Sequence, residues 1–156
     1  MSDIDVLTVA KLPTFLLVPL LQAFNIHEQL HETDGAAFAA VAPRIRGIAG
    51  SGESKVGAAL IERLPALEII SVMGVGYDGI DVAAAKARGI VVTHTPNVLN
   101  DEVADLAIAL MLCVARRIPQ AARYVRAGRW PAKGPMPLAR KLSGARLGLV
   151  GMGRIG

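Results

Sequence analysis

Two stretches of this chain carry glycines at a spacing that lets a backbone wrap around an anion. Residues 74–79 read GVGYDG and residues 151–156 read GMGRIG. Each is a Gly-x-Gly-x-x-Gly that follows an apolar run, LEIISVM in the first case and ARLGLV in the second. In a dinucleotide-binding unit such a loop makes a tight turn, admits a pyrophosphate to the backbone and lets the next helix pack closely. The bare pattern is weak evidence in a chain with 16 glycines, so the surroundings must decide.

The surroundings differ. A pyrophosphate needs free backbone N–H groups at a helix start and no competing anion. Asp78 and Asp81 stand at that point in the first loop. Asp81 is placed to cap a helix over 81–89, and both carboxylates repel phosphate. The strand beyond that helix, IVVTHT, ends without the acid that would hold a ribose. The second loop carries no acid, and Arg154 adds a positive charge. Gly151, Met152, Gly153, Arg154, Ile155 and Gly156 are therefore the candidate cofactor-binding residues. Two readings stand for 74–79. It is a plain tight turn, or Val75 and Gly76 form a nest of N–H donors for a small carboxylate at the carboxyl end of a parallel sheet.

Other reactive side chains are sparse. His27 and His31 are four apart, which on a helix suits a metal, but no third ligand accompanies them. They read as ordinary surface residues, and no metal site is expected. His94 ends a strand near the same carboxyl ends and lines the cleft there. It has no partner acid, so it is not cast as an acid/base. Cys113, the single cysteine, lies in an apolar helix and reads as a buried thiol.

The elements that must position these loops alternate. Strands are expected over 4–9, 45–50, 67–73 and 90–95, with helices over 13–24, 36–42, 55–64 and 81–89 between them; 25–35 is ambiguous. Pro19 should kink or shorten the first helix. This rhythm predicts a parallel sheet covered on both faces. From Asn100 a long helix runs to residue 118, capped by Asn100, with Asp101 and Glu102 at its positive end. It is apolar nearly all round, which suits burial between domains or against another subunit. A further helix over 119–130, a Pro/Gly-bearing loop and a strand over 145–150 deliver the second glycine loop. The domain boundary is placed near residue 99.

Composition narrows the class. Mean hydropathy is +0.44, yet the oily stretches FLLVPLL and LAIALMLCVA are too short to span a bilayer. The opening MSDIDVLTV has acids where a signal peptide needs bases, so a cytoplasmic protein is expected and no membrane partner. Residues 1–105 hold seven of the 17 Lys/Arg and all 13 Asp/Glu, whereas 106–156 hold the other ten basic residues and no acid. The arginines are scattered and lack an aromatic platform beyond Tyr124 and Trp130, which argues against nucleic acid.

In order, GVGYDGID, THTPNVLNDEVADLA and GMGRIG closely resemble the D-isomer-specific 2-hydroxyacid dehydrogenases, in particular the glyoxylate/hydroxypyruvate and hydroxyphenylpyruvate reductase branch. The resemblance implies an α/β fold. A flavodoxin-like substrate domain over 1–99 is followed by a long linking helix and the first strand of a Rossmann domain over 100–156, truncated at the glycine loop. It implies that Val75 and Gly76 give N–H groups to the substrate carboxylate, and that Ser51 and Gly52 line the same cleft. Val103 would lie near the nicotinamide, and Gly151–Gly156 would hold the pyrophosphate of NAD or NADP, with a lean to NADP. The family's catalytic arginine, carboxylate and histidine fall downstream of the glycine loop, so no catalytic residue is assigned and the chain reads as the front half of an enzyme. The expected substrate is a small 2-keto or 2-hydroxy acid, and the expected assembly is a homodimer through helix 100–118. The family's dinucleotide-sensing corepressor branch keeps a second reading open, a non-catalytic sensing or protein-interaction module.

Overall fold

The computed structural model describes residues 3–156. The chain divides after Pro96, with a second unit over Asn97–Gly156. The first unit runs β1 (Asp5–Thr8), α1 (Thr14–Ala23), β2 (Asn25–Glu28), α2 (Leu30–Thr33), α3 (Gly35–Val41), β3 (Ile45–Ser51), α4 (Ala58–Glu62), β4 (Ile69–Met73), α5 (Val82–Ala87) and β5 (Val91–Thr93). The second holds α6 (Asn100–Ala115), α7 (Ile118–Arg126) and α8 (Arg129–Lys133).

All five strands are parallel, in the order β2-β1-β3-β4-β5. This is the flavodoxin-like doubly wound order, which gathers the carboxyl ends of the strands along one rim. Alternation along the strands feeds two cores. Leu7, Ile48, Ile70 and Val72 pack with Phe38, Ile61, Leu64 and Ala85 in one; Val6 and Ala49 pack with Leu12, Leu16, Leu17 and Leu20 of α1 and its approach in the other. The ambiguous stretch 25–35 resolves into an edge strand and a short helix. Helix α1 continues past Pro19 to Ala23.

Helix α5 ends as its sequence predicts. Asp81 accepts from the Ala84 N–H at 2.9 Å, and Gly89 sits at φ +70°. The Gly89 N–H reaches Lys86 and the Ile90 N–H reaches Ala85, a Schellman stop that satisfies two orphan carbonyls. The Arg88 guanidinium crosses to the carbonyls of Ile61, Leu64 and Pro65, closing the end of α4.

The structure corrects several expectations. Helix α4 covers only Ala58–Glu62 of the predicted 55–64, because Val56 is used elsewhere. The Val56 N–H donates to Gly79 O and the Asp81 N–H to Val56 O, both at 2.9 Å, a one-residue parallel bridge between loops. Asn100 does not cap α6. Leu99 stands at the cap and Asn100 is the first helical residue. The long helix also stops at Ala115, since Arg117 takes a left-handed φ of 56° before α7 starts.

The strand expected over 145–150 is not formed, and with it the first Rossmann strand. A strand must exchange N–H and C=O groups with a neighbour, and the second unit has no other strand among the described residues.

His27 and His31 are not surface residues. The His27 side chain is 15% exposed, with its Nε2 on the buried Asp5 carboxylate at 2.7 Å. His31 packs edge-on against Phe38, and its burial pulls its pKa down.

Candidate functional site

The site is built on the rim where β3, β4 and β5 end. Ser51 and Met73 are register partners, so Gly52 and Gly74 leave the sheet side by side. Their backbones touch. A Cβ on Gly74 would stand 2.9 Å from the Gly52 nitrogen, and one on Gly52 would stand 3.3 Å from the Gly76 oxygen. The structure therefore brings Gly52 against Gly74 and Gly76, with Ser51 and Val75 as their neighbours in the chain.

The loop after β3 is a β-turn over 51–54 closed twice by the same two serines. The Ser51 N–H donates to Ser54 Oγ at 2.8 Å and the Ser54 N–H returns to Ser51 O at 3.0 Å. Ser54 is buried, and its carbonyl packs where a side chain on Gly79 would be; a Cβ there would stand 2.2 Å from Ser54 O. The third glycine of GVGYDG thus admits a neighbouring loop. With the Val56 bridge, it joins the two loops into one wall.

The loop after β4 is held from the other side by residues 94 and 95. The Gly74 N–H donates to Thr95 Oγ1 at 3.0 Å, and the Thr95 N–H donates to Gly74 O at 2.9 Å. His94 Nδ1 lies 2.9 Å from Val75 O, and the Tyr77 ring meets the imidazole edge-on at 4.8 Å between centroids. No bond within the described residues takes the N–H of Val75 or of Gly76. Two consecutive donors are thus left open on an exposed rim, with Asp78 Oδ2 3.7 Å from where a Cβ on Gly76 would stand and Glu53 next to Gly52 in the adjoining loop. That arrangement can bind a small anion. Two neutral N–H donors favour a carboxylate, whose two oxygens match them.

Sequence reasoning missed Ser54, Val56 and Thr95. The first had a signal, since SGES places a serine at the last position of a four-residue turn, where its hydroxyl can reach back to the first N–H. The bridge at Val56 had none, because a single extended residue leaves no periodicity.

The remaining candidate residues lie in the second unit. Val103 is in the first turn of α6, with its N–H on Leu99 O at 3.1 Å. Residues 151–156 form an exposed turn with Gly151 at φ +88°. The turn closes on itself, since a Cβ on Gly156 would stand 2.8 Å from Gly151 O. The N–H groups of 152–156 have no partner among the described residues, and Arg154 is exposed beside them. No helix starts at this turn among the described residues, so what it offers an anion is open N–H donors beside a cation, without a helix N-terminus.

Comparison with known proteins gives the family. The family model for the catalytic domain of D-isomer specific 2-hydroxyacid dehydrogenases matches residues 14–146. The chain belongs to that family. It is similar to hydroxyphenylpyruvate reductase of Plectranthus scutellarioides, 41% identical over all of this chain and 50% of that protein. A 2-hydroxyacid dehydrogenase structure from Ketogulonicigenium vulgare superposes with a TM-score of 0.93 at 46% identity, covering 99% of this chain and 49% of the other. An NADPH-dependent glyoxylate/hydroxypyruvate reductase from Sinorhizobium meliloti, solved with NADP and malonate, gives a TM-score of 0.83 at 44% identity over 99% of this chain and 48% of its own. The chain spans about half the length of the relatives it matches.

Proposed function

We propose that this family member serves the reduction of a small 2-keto acid, such as glyoxylate or hydroxypyruvate, to its D-2-hydroxy acid, and that the part described here supplies the carboxylate cradle. The observation that carries this reading is the pair of open N–H groups at Val75 and Gly76, on the rim where ligands of parallel sheets bind. Ser51 and Gly52 form the adjoining wall. We assign residues 1–99 to the substrate domain and 100–156 to the start of the dinucleotide domain.

Gly151–Gly156, with Arg154, would hold the pyrophosphate of NAD or NADP, and the resemblance adds Val103 to the cofactor's surroundings. When bound, the nicotinamide supplies the hydride. NADP is favoured, in line with the NADP complex of the Sinorhizobium meliloti relative. Among the residues of the rim, His94 is engaged with Val75 O and has no acid behind it, so no proton donor for the keto oxygen is assigned in this chain.

The apolar residues of α6 beyond its first turn, including Leu106, Leu110 and Val114, are exposed and offer a surface for a second copy. A reducing, cytoplasmic setting suits Cys113, a free thiol on that helix. Among the described residues, no helix is long and apolar enough to cross a membrane.

The chain alone is expected to leave NADPH unconsumed in the presence of hydroxypyruvate. A chimera joining residues 1–156 to the remaining half of the Sinorhizobium meliloti reductase is expected to turn over. Robust oxidation by the chain alone, or an inert but folded chimera, would refute the assignment.

A further inference from the structure

We infer that His94 is a positioning residue of the carboxylate cradle, acting through the peptide between Val75 and Gly76; the inference rests on the cradle reading above. A trans peptide is planar, with its C=O and N–H pointing in opposite directions. The Val75 carbonyl and the Gly76 N–H belong to one such plane. The bond from His94 Nδ1 at 2.9 Å therefore turns the Gly76 N–H away from the imidazole. The preceding plane is held the same way. The Thr95 N–H takes Gly74 O at 2.9 Å, which directs the Val75 N–H. Residues 94 and 95 thus hold both carbonyls and leave both donors open.

The two holds are not equivalent. The plane before Gly76 is the freer of the two, because a glycine on its C-terminal side tolerates the reversed orientation that a Cβ would resist. Reversal would present a carbonyl oxygen to the substrate carboxylate in place of an N–H. The His94 bond opposes it. A donor on the carbonyl also polarises the amide and strengthens its own N–H as a donor. This role requires the hydrogen on Nδ1, since the Val75 oxygen accepts only. The Tyr77 ring against the imidazole fixes the ring plane in which that nitrogen lies.

Two variants separate the donor from the ring. His94→Phe keeps an aromatic surface for Tyr77 and removes the donor; His94→Asn restores an N–H near the place of Nδ1. The isotope-labelled chain is titrated with hydroxypyruvate and followed by amide NMR. His94→Phe is expected to weaken binding about five- to tenfold, the loss of roughly one hydrogen bond. It should diminish the shift of the Gly76 amide while leaving that of Val75, which Thr95 holds. His94→Asn is expected to bind within about twofold of the original protein. Ring-nitrogen spectra of the unaltered chain should show the hydrogen on Nδ1. Equal binding by His94→Phe with an unchanged Gly76 shift, equal impairment of both variants, or an Nε2–H tautomer would overturn the inference while the cradle reading stands. Failure of the Val75 and Gly76 amides to respond in the unaltered protein would overturn both.

Discussion

Thr95 and Gly74 exchange two hydrogen bonds across the rim, Gly74 N–H to Thr95 Oγ1 at 3.0 Å and Thr95 N–H to Gly74 O at 2.9 Å. The pair fixes where the glycine loop leaves β4. Thr95→Ala strands the Gly74 N–H and is expected to cost about 1 kcal/mol in urea unfolding. Thr95→Ser keeps the oxygen and should recover most of it. Equal losses in both variants would show that the methyl group, not the hydroxyl, matters.

The glycines of GVGYDG should respond in opposite ways. Gly79→Ala drives a Cβ to 2.2 Å from the Ser54 carbonyl, a backbone atom with no easy escape. We expect a loss of about 1–3 kcal/mol and disturbed amides over 54–56. At Gly76 a Cβ meets only Asp78 Oδ2, at 3.7 Å. Gly76→Ala should leave stability within about 0.5 kcal/mol and instead weaken hydroxypyruvate binding, by crowding the open N–H. Thermal melts of the two variants provide the check.

This contrast shows how far the sequence could be read. The alternation of apolar runs with alanine-rich helical runs gave the parallel sheet, because both periods are local. The two aspartates distinguish the two glycine loops by charge, and the different roles proposed for the loops rest on that difference. What stayed hidden was whatever depends on a partner distant in the chain. Val56 belongs to a bridge with Ile80, so it reads locally as helix. ARLGLV has a strand's composition but finds no ladder among the described residues. His27 looked exposed because its partner, Asp5, lies 22 residues away.

That partnership gives an acid-sensitive contact at the other end of the sheet. Burial alone would raise the Asp5 pKa, but hydrogen bonds from His27, Arg44 and Asn25, and the Arg44 charge, outweigh it and hold the carboxyl below its ordinary 3.8. A carboxylate lowered by folding stabilises the fold above the ordinary value and loses that contribution as pH falls through its folded value. The stability gap between the original chain and Asp5→Asn, about 1–2 kcal/mol near neutrality, should therefore close below about pH 4. Urea midpoints at several pH values measure it; a gap that widens with acid would contradict the account.

The exposed apolar face of α6 makes self-association the expected state. Sedimentation at micromolar concentration should report a dimer, and Leu106→Gln with Leu110→Gln should yield monomer with the sheet's amide spectrum intact. An unaltered chain that sediments as a monomer would remove α6 as the contact.

Val75 and Gly76 are proposed to receive the substrate carboxylate. The most direct test of this role is an amide NMR titration of the unaltered chain with hydroxypyruvate, beside dihydroxyacetone, which lacks the carboxylate. Saturable shifts at Val75 and Gly76, with smaller ones at Ser51 and Gly52, are expected for hydroxypyruvate alone. Equal shifts with dihydroxyacetone, or saturable shifts that leave Val75 and Gly76 unmoved, would contradict the proposal.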